Sequence, residues 1–173
     1  LQFFEPRMER AARERLALLA DLREAVRLGQ FVLHYQPQVD LVEQRLLGFE
    51  ALVRWAHPTR GLLPPSEFVT LAEESGLIVA LGRWVLRQAC RDAMDWPAPL
   101  RVAVNISAVE FERSDLRRTV REALATTGLP AGRLEIELTE STLLQDNSQG
   151  VAPLQDLRPF GPRAALGDFG TGL

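Results

Sequence analysis

The sequence has little of the residue types that build disulfide frameworks and zinc sites. It contains one cysteine, Cys90, and two histidines among 173 residues. A single cysteine gives no intramolecular disulfide and fits a reducing compartment. Because His and Cys do not cluster, a zinc site is not expected. Cys90 itself lies in a helical pattern and is predicted to be a small buried hydrophobe.

Long hydrophobic runs and an excess of positive charge are also missing. No run approaches the roughly 18 apolar residues of a membrane helix, and no signal peptide is recognisable. We therefore expect a cytoplasmic chain without a membrane segment, although the parent protein could be anchored elsewhere. The net charge is −3, from 20 basic and 23 acidic residues, which argues against DNA binding. An acidic chain that acts on an anion would need metal ions to offset the repulsion.

The composition is otherwise that of an ordinary globular domain, with 46% hydrophobic and 25% charged residues. Apolar spacing predicts a helix over residues 8–28, followed by strands over 31–39 and 46–55. The connection at 42–45 is too short for the crossover that a parallel pair needs. These two strands are therefore expected to form an antiparallel hairpin.

Downstream, strands and helices alternate at intervals of roughly 30 residues, which predicts βα units and a parallel sheet. We expect a loop at 57–65 that includes His57, a helix at 67–75 capped by Ser66, and a helix from 78 to about 95. The other predicted elements are strands at 101–107, 134–140 and 163–168 and helices at 115–127 and 150–159. The predicted fold is α/β, a TIM-like (β/α) barrel with an antiparallel first strand. It is incomplete in this chain, because five strands do not close an eight-stranded barrel.

The apolar run at 48–55 carries one carboxylate, Glu50, which is costly on a buried strand unless a positive charge or a proton meets it. A solvent-facing Glu50, or one paired with Arg54, is the alternative. Later strands carry polar residues near their C-terminal ends, at the rim where β/α barrels place their active sites. Together these residues make an oxygen-ligand set suited to Mg²⁺ or Mn²⁺: Glu50, Asn105, Glu137 and Asp168.

Structural roles compete with this interpretation. Asn105 could bond a neighbouring loop from the end of its strand. Glu137 and Glu140 could cap the helix that follows them.

Several short motifs together carry a resemblance to a known family. They are Tyr35-Gln36-Pro37, Glu50-Ala51-Leu52, Arg54-Trp55, His57-Pro58, Val104-Asn105-Ile106-Ser107, Glu137-Leu138-Thr139-Glu140 and Asp168-Phe169-Gly170-Thr171-Gly172. Any one of them is weak, but the ordered set is specific. From about residue 21 to its last residue, the chain resembles the EAL family.

The resemblance implies a bacterial phosphodiesterase that linearises cyclic di-GMP to pGpG with two divalent metal ions, Mg²⁺ or Mn²⁺. It implies that Glu50, Asn105 and Glu137 are metal ligands, with Asp168 beside them. Glu140 would brace a loop at the site, and the catalytic set would be Glu50, Glu137, Asp168 and Glu140. Gln36, Leu52 and Arg54 match positions that contact the dinucleotide.

The chain departs from the family pattern at Gly167. The family carries two adjacent aspartates before Phe-Gly, whereas here only Asp168 remains. The chain also ends before the family's later Lys, Glu and Gln positions. Residues 1–20 resemble a linker and helix from an upstream GGDEF-type cyclase domain, and residues 21–173 the N-terminal two-thirds of an EAL domain.

Three functions follow from these observations. The first is a metal-dependent cyclic di-GMP phosphodiesterase, impaired by Gly167. The second is a degenerate domain that binds the dinucleotide without cutting it. The third is a dimerisation or scaffolding module. A homodimer is expected.

Overall fold

The computed structural model describes residues 6–138 and 163–166, which form one mixed sheet with helices against it. The strands are β1 Phe31–Asp40, β2 Arg45–His57, β3 Gly61–Leu63, β4 Arg101–Ile106, β5 Leu134–Leu138 and β6 Arg163–Leu166. The helices are α1 Pro6–Leu28, α2 Val69–Ser75, α3 Ile78–Ala93, α4 Ala108–Arg113 and α5 Leu116–Thr127, with short 3-10 turns at Pro65–Glu67 and Ala131–Arg133. The strand order is β1-β2-β4-β5-β6, and β3 pairs with β2.

The predicted antiparallel hairpin is confirmed. Strands β1 and β2 pair antiparallel, with Gln36 opposite Glu50 and Phe31 opposite Trp55. Pro37 lies within β1 and does not end it. Because β1 is at the edge of the described sheet, a residue without an N–H group is tolerated there.

The α/β barrel class is also confirmed. Strands β2, β4, β5 and β6 are parallel, and helices follow the strands as βα units require. Among the described residues the sheet does not close into a barrel. On one side of the sheet, apolar residues of β4 and β5 are fully buried beneath the helices. The opposite side is called the inner face below and carries the polar residues.

Strand β2 runs further than the sequence predicts, and this changes two expectations. The predicted loop at 57–65 contains β3, which pairs antiparallel with the end of β2. His57 is therefore a buried strand residue, 7% exposed, and the expectation of a loop residue is wrong. Its Nδ1 accepts the backbone N–H groups of Thr59 and Arg60 at 3.2 and 3.1 Å, and its Nε2 lies 3.1 Å from Asp21 of α1. Those contacts hold the β2–β3 turn and α1 together.

Two helix starts differ from the sequence prediction: the predicted cap at Ser66 is wrong, and the start of α4 after Ser107 was not predicted. Ser66 caps no helix: it lies inside the 3-10 turn that Pro65 opens, and α2 starts at Val69 with no side-chain cap. Proline favours the first position of a helical turn, which accounts for the earlier start. Ser107 does not continue β4; its hydroxyl accepts the Glu110 N–H at 3.1 Å and caps α4, a helix that the sequence did not predict.

Aromatic residues fill the core between the hairpin and the helices. Phe31 packs against Trp55, Phe68 and Trp84, with ring centroids 6.2, 5.9 and 5.7 Å apart. Cys90 is fully buried in α3 as predicted, and burial raises the pKa of its thiol to about 12. Helix α1 is continuous across residues 20 and 21, and its Leu22 is fully buried. The proposed domain division at that point stays a prediction.

Some sequence predictions lie outside the described residues. These are the helix at 150–159, the strand positions 139–140 and 167–168, and the side chains of β6. Within the described part of the chain, no helix combines the length and the hydropathy needed to cross a membrane.

A buried carboxyl group of α4 lies against the backbone of α3. Glu110 is 3% exposed, and a Cβ built on Gly82 of α3 would lie 1.8 Å from its Oε1. Glycine at 82 is therefore what lets the carboxyl approach the helix backbone. Burial raises the pKa of Glu110 to about 8, against a smaller lowering effect from the backbone bond to Ser107.

We predict that Glu110→Gln raises the free energy of unfolding at pH 8 by about 1–3 kcal/mol and has little effect at pH 4.5. Between the usual carboxyl pKa and about 8, the unfolded chain loses this proton while the folded chain keeps it, so stability falls as pH rises. A glutamine cannot ionise and removes that loss. Urea unfolding at both pH values tests this, with the exposed Glu112→Gln as control. Equal pH dependence in wild type and Glu110→Gln would contradict it.

Candidate functional site

Strand register brings the predicted site residues to the inner face of the sheet. Gln36 pairs with Glu50 across the hairpin, and Asn105 pairs with Glu137 between β4 and β5. Because side chains alternate along a strand, Leu52 and Arg54 share the face of Glu50. Every predicted site residue within the described ranges therefore lies on this one face.

Glu50 lies in the middle of β2, so its predicted place near a strand end needs correction. The parallel ladder with β4 stops at Ala51 opposite Val104, and β2 then continues as an antiparallel extension with β3. Glu50 is thus near the end of the parallel segment, although not near the end of its strand. That position puts it beside Asn105.

Asn105 and Glu50 are in direct contact. The amide Nδ2 of Asn105 donates to Oε1 of Glu50 at 2.7 Å, a diagonal contact between neighbouring parallel strands. Two alternatives drawn from the sequence, a Glu50–Arg54 pair and a bond from Asn105 to a neighbouring loop, are not what the structure contains. Asn105 bonds this carboxylate, and the Arg54 guanidinium donates to the Val53 carbonyl at 2.8 Å.

Among the predicted ligands that the structure describes, Glu137 is the most buried, with 8% of its surface exposed. Burial raises the pKa of its carboxyl group, and the nearby charges of Glu50 and Glu135 raise it further. The side-chain amide of Gln38 opposes this shift by donating from Nε2 to Oε1 at 3.1 Å. Glu50 is therefore close enough for its charge to act on the carboxyl group of Glu137.

The arginine at the start of β4 does not neutralise this pair. Arg101 at the start of β4 lies on the same face, but its Nη1 is 3.3 Å from Oε2 of Glu135. Among the described residues no Lys, Arg or His side chain forms an ion pair with Glu50 or Glu137. Two carboxylates thus share a partly buried surface with amide donors as their contacts.

This donor set fits a hard divalent cation. Carboxylate and amide oxygens are the ligands that Mg²⁺ and Mn²⁺ prefer, and two anionic oxygens without a counter-charge favour a cation between them. Within residues 6–138 and 163–166 no three His, Cys, Asp or Glu side chains gather as a metal cluster. The third metal donor here is the side-chain amide oxygen of Asn105.

The remaining predicted residues divide into those on the hairpin and those outside the described ranges. Gln36 is exposed on β1, whereas Leu52 and Arg54 are half-buried on β2. Asp168, Glu140 and Gly167 lie outside the described residues, so their roles stay predictions. The roles assigned to Glu50, Asn105 and Glu137 also stay predictions, although the structure brings these side chains to one place.

Gln38 is a site residue that the sequence interpretation missed. It follows Gln36 by two positions and so belongs to the same face of β1. That alternation was the available signal. What the alternation does not give is the reach of the side chain to Glu137, since β2 and β4 lie between β1 and β5.

Comparisons with known proteins point to one family. A signalling protein of Caulobacter vibrioides is 48% identical over 172 residues, which is 99% of this chain and 21% of that protein. The bifunctional diguanylate cyclase/cyclic di-GMP phosphodiesterase MucR of Pseudomonas aeruginosa is 44% identical, over 98% of this chain and 25% of MucR. The solved PaMucR phosphodiesterase in complex with c-di-GMP aligns with a TM-score of 0.83 at 43% identity, covering 91% of this chain and 65% of that one.

The chain spans a quarter or less of the length of these two curated relatives. The family model described as the EAL domain matches residues 19–173. By that match, and by the identity of its relatives, the chain belongs to the EAL domain family.

Proposed function

We propose that this chain carries the metal-binding and dinucleotide-binding face of a cyclic di-GMP phosphodiesterase. The observation that supports this most is the convergence of Glu50, Asn105 and Glu137 on one face with no cationic side chain of the described residues paired to the carboxylates. The likeness to MucR, named as a cyclic di-GMP phosphodiesterase, supports the same substrate. The proposal includes an upstream diguanylate cyclase domain and a homodimer. MucR is itself named as a diguanylate cyclase as well as a phosphodiesterase.

Glu50, Asn105 and Glu137 would hold Mg²⁺ or Mn²⁺, with Asp168 as a further donor. When bound, such cations lower the pKa of water and neutralise the charge that develops on a phosphodiester in its transition state. The protein's own part is to keep two anionic oxygens and one amide oxygen on a single rigid face. Glu140 is proposed to brace a loop beside them.

The hairpin would bind the dinucleotide. Arg54 uses part of its guanidinium to bond the Val53 carbonyl, which fixes the side chain and leaves other N–H groups for a phosphate oxygen or a base edge. Leu52 offers an apolar surface to a base, and Gln36 is exposed beside Glu50 for a hydrogen bond. Substrate contacts therefore come from β1 and β2, whereas metal donors come from β2, β4 and β5.

The second candidate is a receptor that binds cyclic di-GMP without cutting it. Gly167 favours this function, because it stands where the family carries an aspartate. A glycine supplies no side-chain oxygen. Two cations held close together repel strongly unless carboxylates screen them.

We predict that Glu50→Gln in the full-length gene product lowers the rate of pGpG release by at least about 100-fold, because it removes one of the two carboxylates proposed to hold the cation. Chromatographic measurement of pGpG formed from cyclic di-GMP with Mg²⁺ or Mn²⁺ checks this. Glu43→Gln is the matched control, since Glu43 is an exposed carboxylate in the turn of the same hairpin, paired with Arg45. Retained activity in Glu50→Gln would refute the assignment.

Arg54→Lys is expected to weaken cyclic di-GMP binding by roughly tenfold, because lysine keeps the charge and loses the planar fork that contacts both the Val53 carbonyl and a ligand. Isothermal titration calorimetry gives the affinity. Arg60→Lys serves as control, since the Arg60 side chain is exposed and only its backbone N–H bonds His57. An unchanged affinity in Arg54→Lys would remove Arg54 from the binding set.

Gly167→Asp is expected to raise pGpG release by orders of magnitude while changing cyclic di-GMP affinity much less, since the added carboxylate restores an anionic donor near the cations. Gly132→Asp places the same substitution where a Cβ meets no other atom within 4 Å and is the control. Both quantities are measured on the full-length gene product. If the wild-type Gly167 protein already turns over as fast as Gly167→Asp, the impaired-site proposal fails and the plain phosphodiesterase remains.

A further inference from the structure

Gln38 makes a contact that crosses the inner face of the sheet. It belongs to the edge strand β1, yet its Nε2 donates to Oε1 of Glu137 on β5 at 3.1 Å. Strands β2 and β4 separate these two residues. The side chain of Gln38 therefore links the edge strand β1 directly to the carboxylate of Glu137 on β5.

Gly48 provides the room for this contact. It is the register partner of Gln38 on one side and of Arg101 on the other, so it lies directly in the path from β1 to β4. A Cβ at Gly48 would lie 2.1 Å from the carbonyl oxygen of Arg101. A side chain at position 48 would therefore clash with β4, and the glycine leaves no β2 side chain between Gln38 and Arg101.

The surroundings of Glu137 explain why a neutral donor matters there. Its carboxylate feels the like charges of Glu50 and Glu135, and Arg101 is paired with Glu135. An amide N–H donor holds one carboxylate oxygen in place without cancelling the negative charge. The second oxygen and the full charge of Glu137 remain for a ligand.

We propose that Gln38 is a positioning residue that holds the Glu137 carboxylate in place for a divalent cation. The proposal rests on the proposed function, since it takes Glu137 as a metal ligand. It assigns to β1 a part in metal binding in addition to the dinucleotide contact at Gln36. Groups that orient a metal ligand in this way change metal affinity by roughly 10–100-fold when removed.

The test compares Gln38→Met with Gln88→Met in the full-length gene product. Methionine keeps the length of the side chain and removes the N–H donor. Gln88 is the matched control, because it also donates an amide hydrogen to a carboxylate, that of Asp92 at 2.7 Å, within α3 and away from the inner face. Electron paramagnetic resonance of free Mn²⁺, titrated into metal-free protein, measures metal affinity independently of turnover.

We expect the dissociation constant for Mn²⁺ to rise about tenfold in Gln38→Met and to stay at the wild-type value in Gln88→Met. Where the wild type releases pGpG, the activity of Gln38→Met should need more Mn²⁺ and recover at saturation. General structural damage would lower activity at every concentration of Mn²⁺.

Equal Mn²⁺ affinity in wild type and Gln38→Met would overturn the positioning role, as would an equal loss in Gln88→Met or a wild type that binds no Mn²⁺. A wild type whose Mn²⁺ affinity depends on Gln38 but which releases no pGpG would instead count against the phosphodiesterase and leave the positioning role supported.

Discussion

Two carboxylates that share a partly buried face without a counter-charge are the constraint on which the site depends. Glu50 and Glu137 are each held by an amide, from Asn105 and Gln38 respectively. An arginine in either place would form an ion pair and satisfy the charge within the protein. Amide donors fix the oxygens and leave the negative charge in place, so the face keeps its attraction for a cation. The strands that carry Glu50 and Glu137 must therefore be packed well enough to withstand this repulsion.

The packing that supports these strands lies on the helix side of the sheet. On the outer side, the fully buried apolar residues of β4 and β5 lock these strands against the helices. On the hairpin, the aromatic contacts of Phe31 anchor β1 to the core, and the bonds of His57 hold the far end of β2. The polar residues of the inner face can then occupy costly positions, because the stability of the fold comes from elsewhere.

Sequence patterns predicted the parts of this structure that depend on local rules. The short 42–45 connection required an antiparallel hairpin, and polar residues near the C-terminal ends of successive strands predicted that Asn105 and Glu137 lie at one rim. The sequence could not predict features that depend on neighbours distant in the chain. The β3 extension exists because β2 outruns its parallel partner, and the Gln38–Glu137 bond crosses two intervening strands, of which β2 carries a glycine opposite Gln38. Ser66 failed as a cap because the proline before it opened a turn first.

Binding and hydrolysis make different demands on this face. The residues proposed to contact the dinucleotide lie on the β1–β2 hairpin, whose geometry is set by antiparallel pairing and the aromatic core. Three of the proposed metal donors, Glu50, Asn105 and Glu137, lie along the parallel ladder from β2 to β5, where an amide contacts each of the two carboxylates. A change in the donor set along the ladder would alter the charge there and leave the hairpin contacts as they are. Glu50 on β2 is the one proposed donor that belongs to both regions. Most changes to the metal donors therefore leave the hairpin alone, and the same fold can lose turnover and keep recognition.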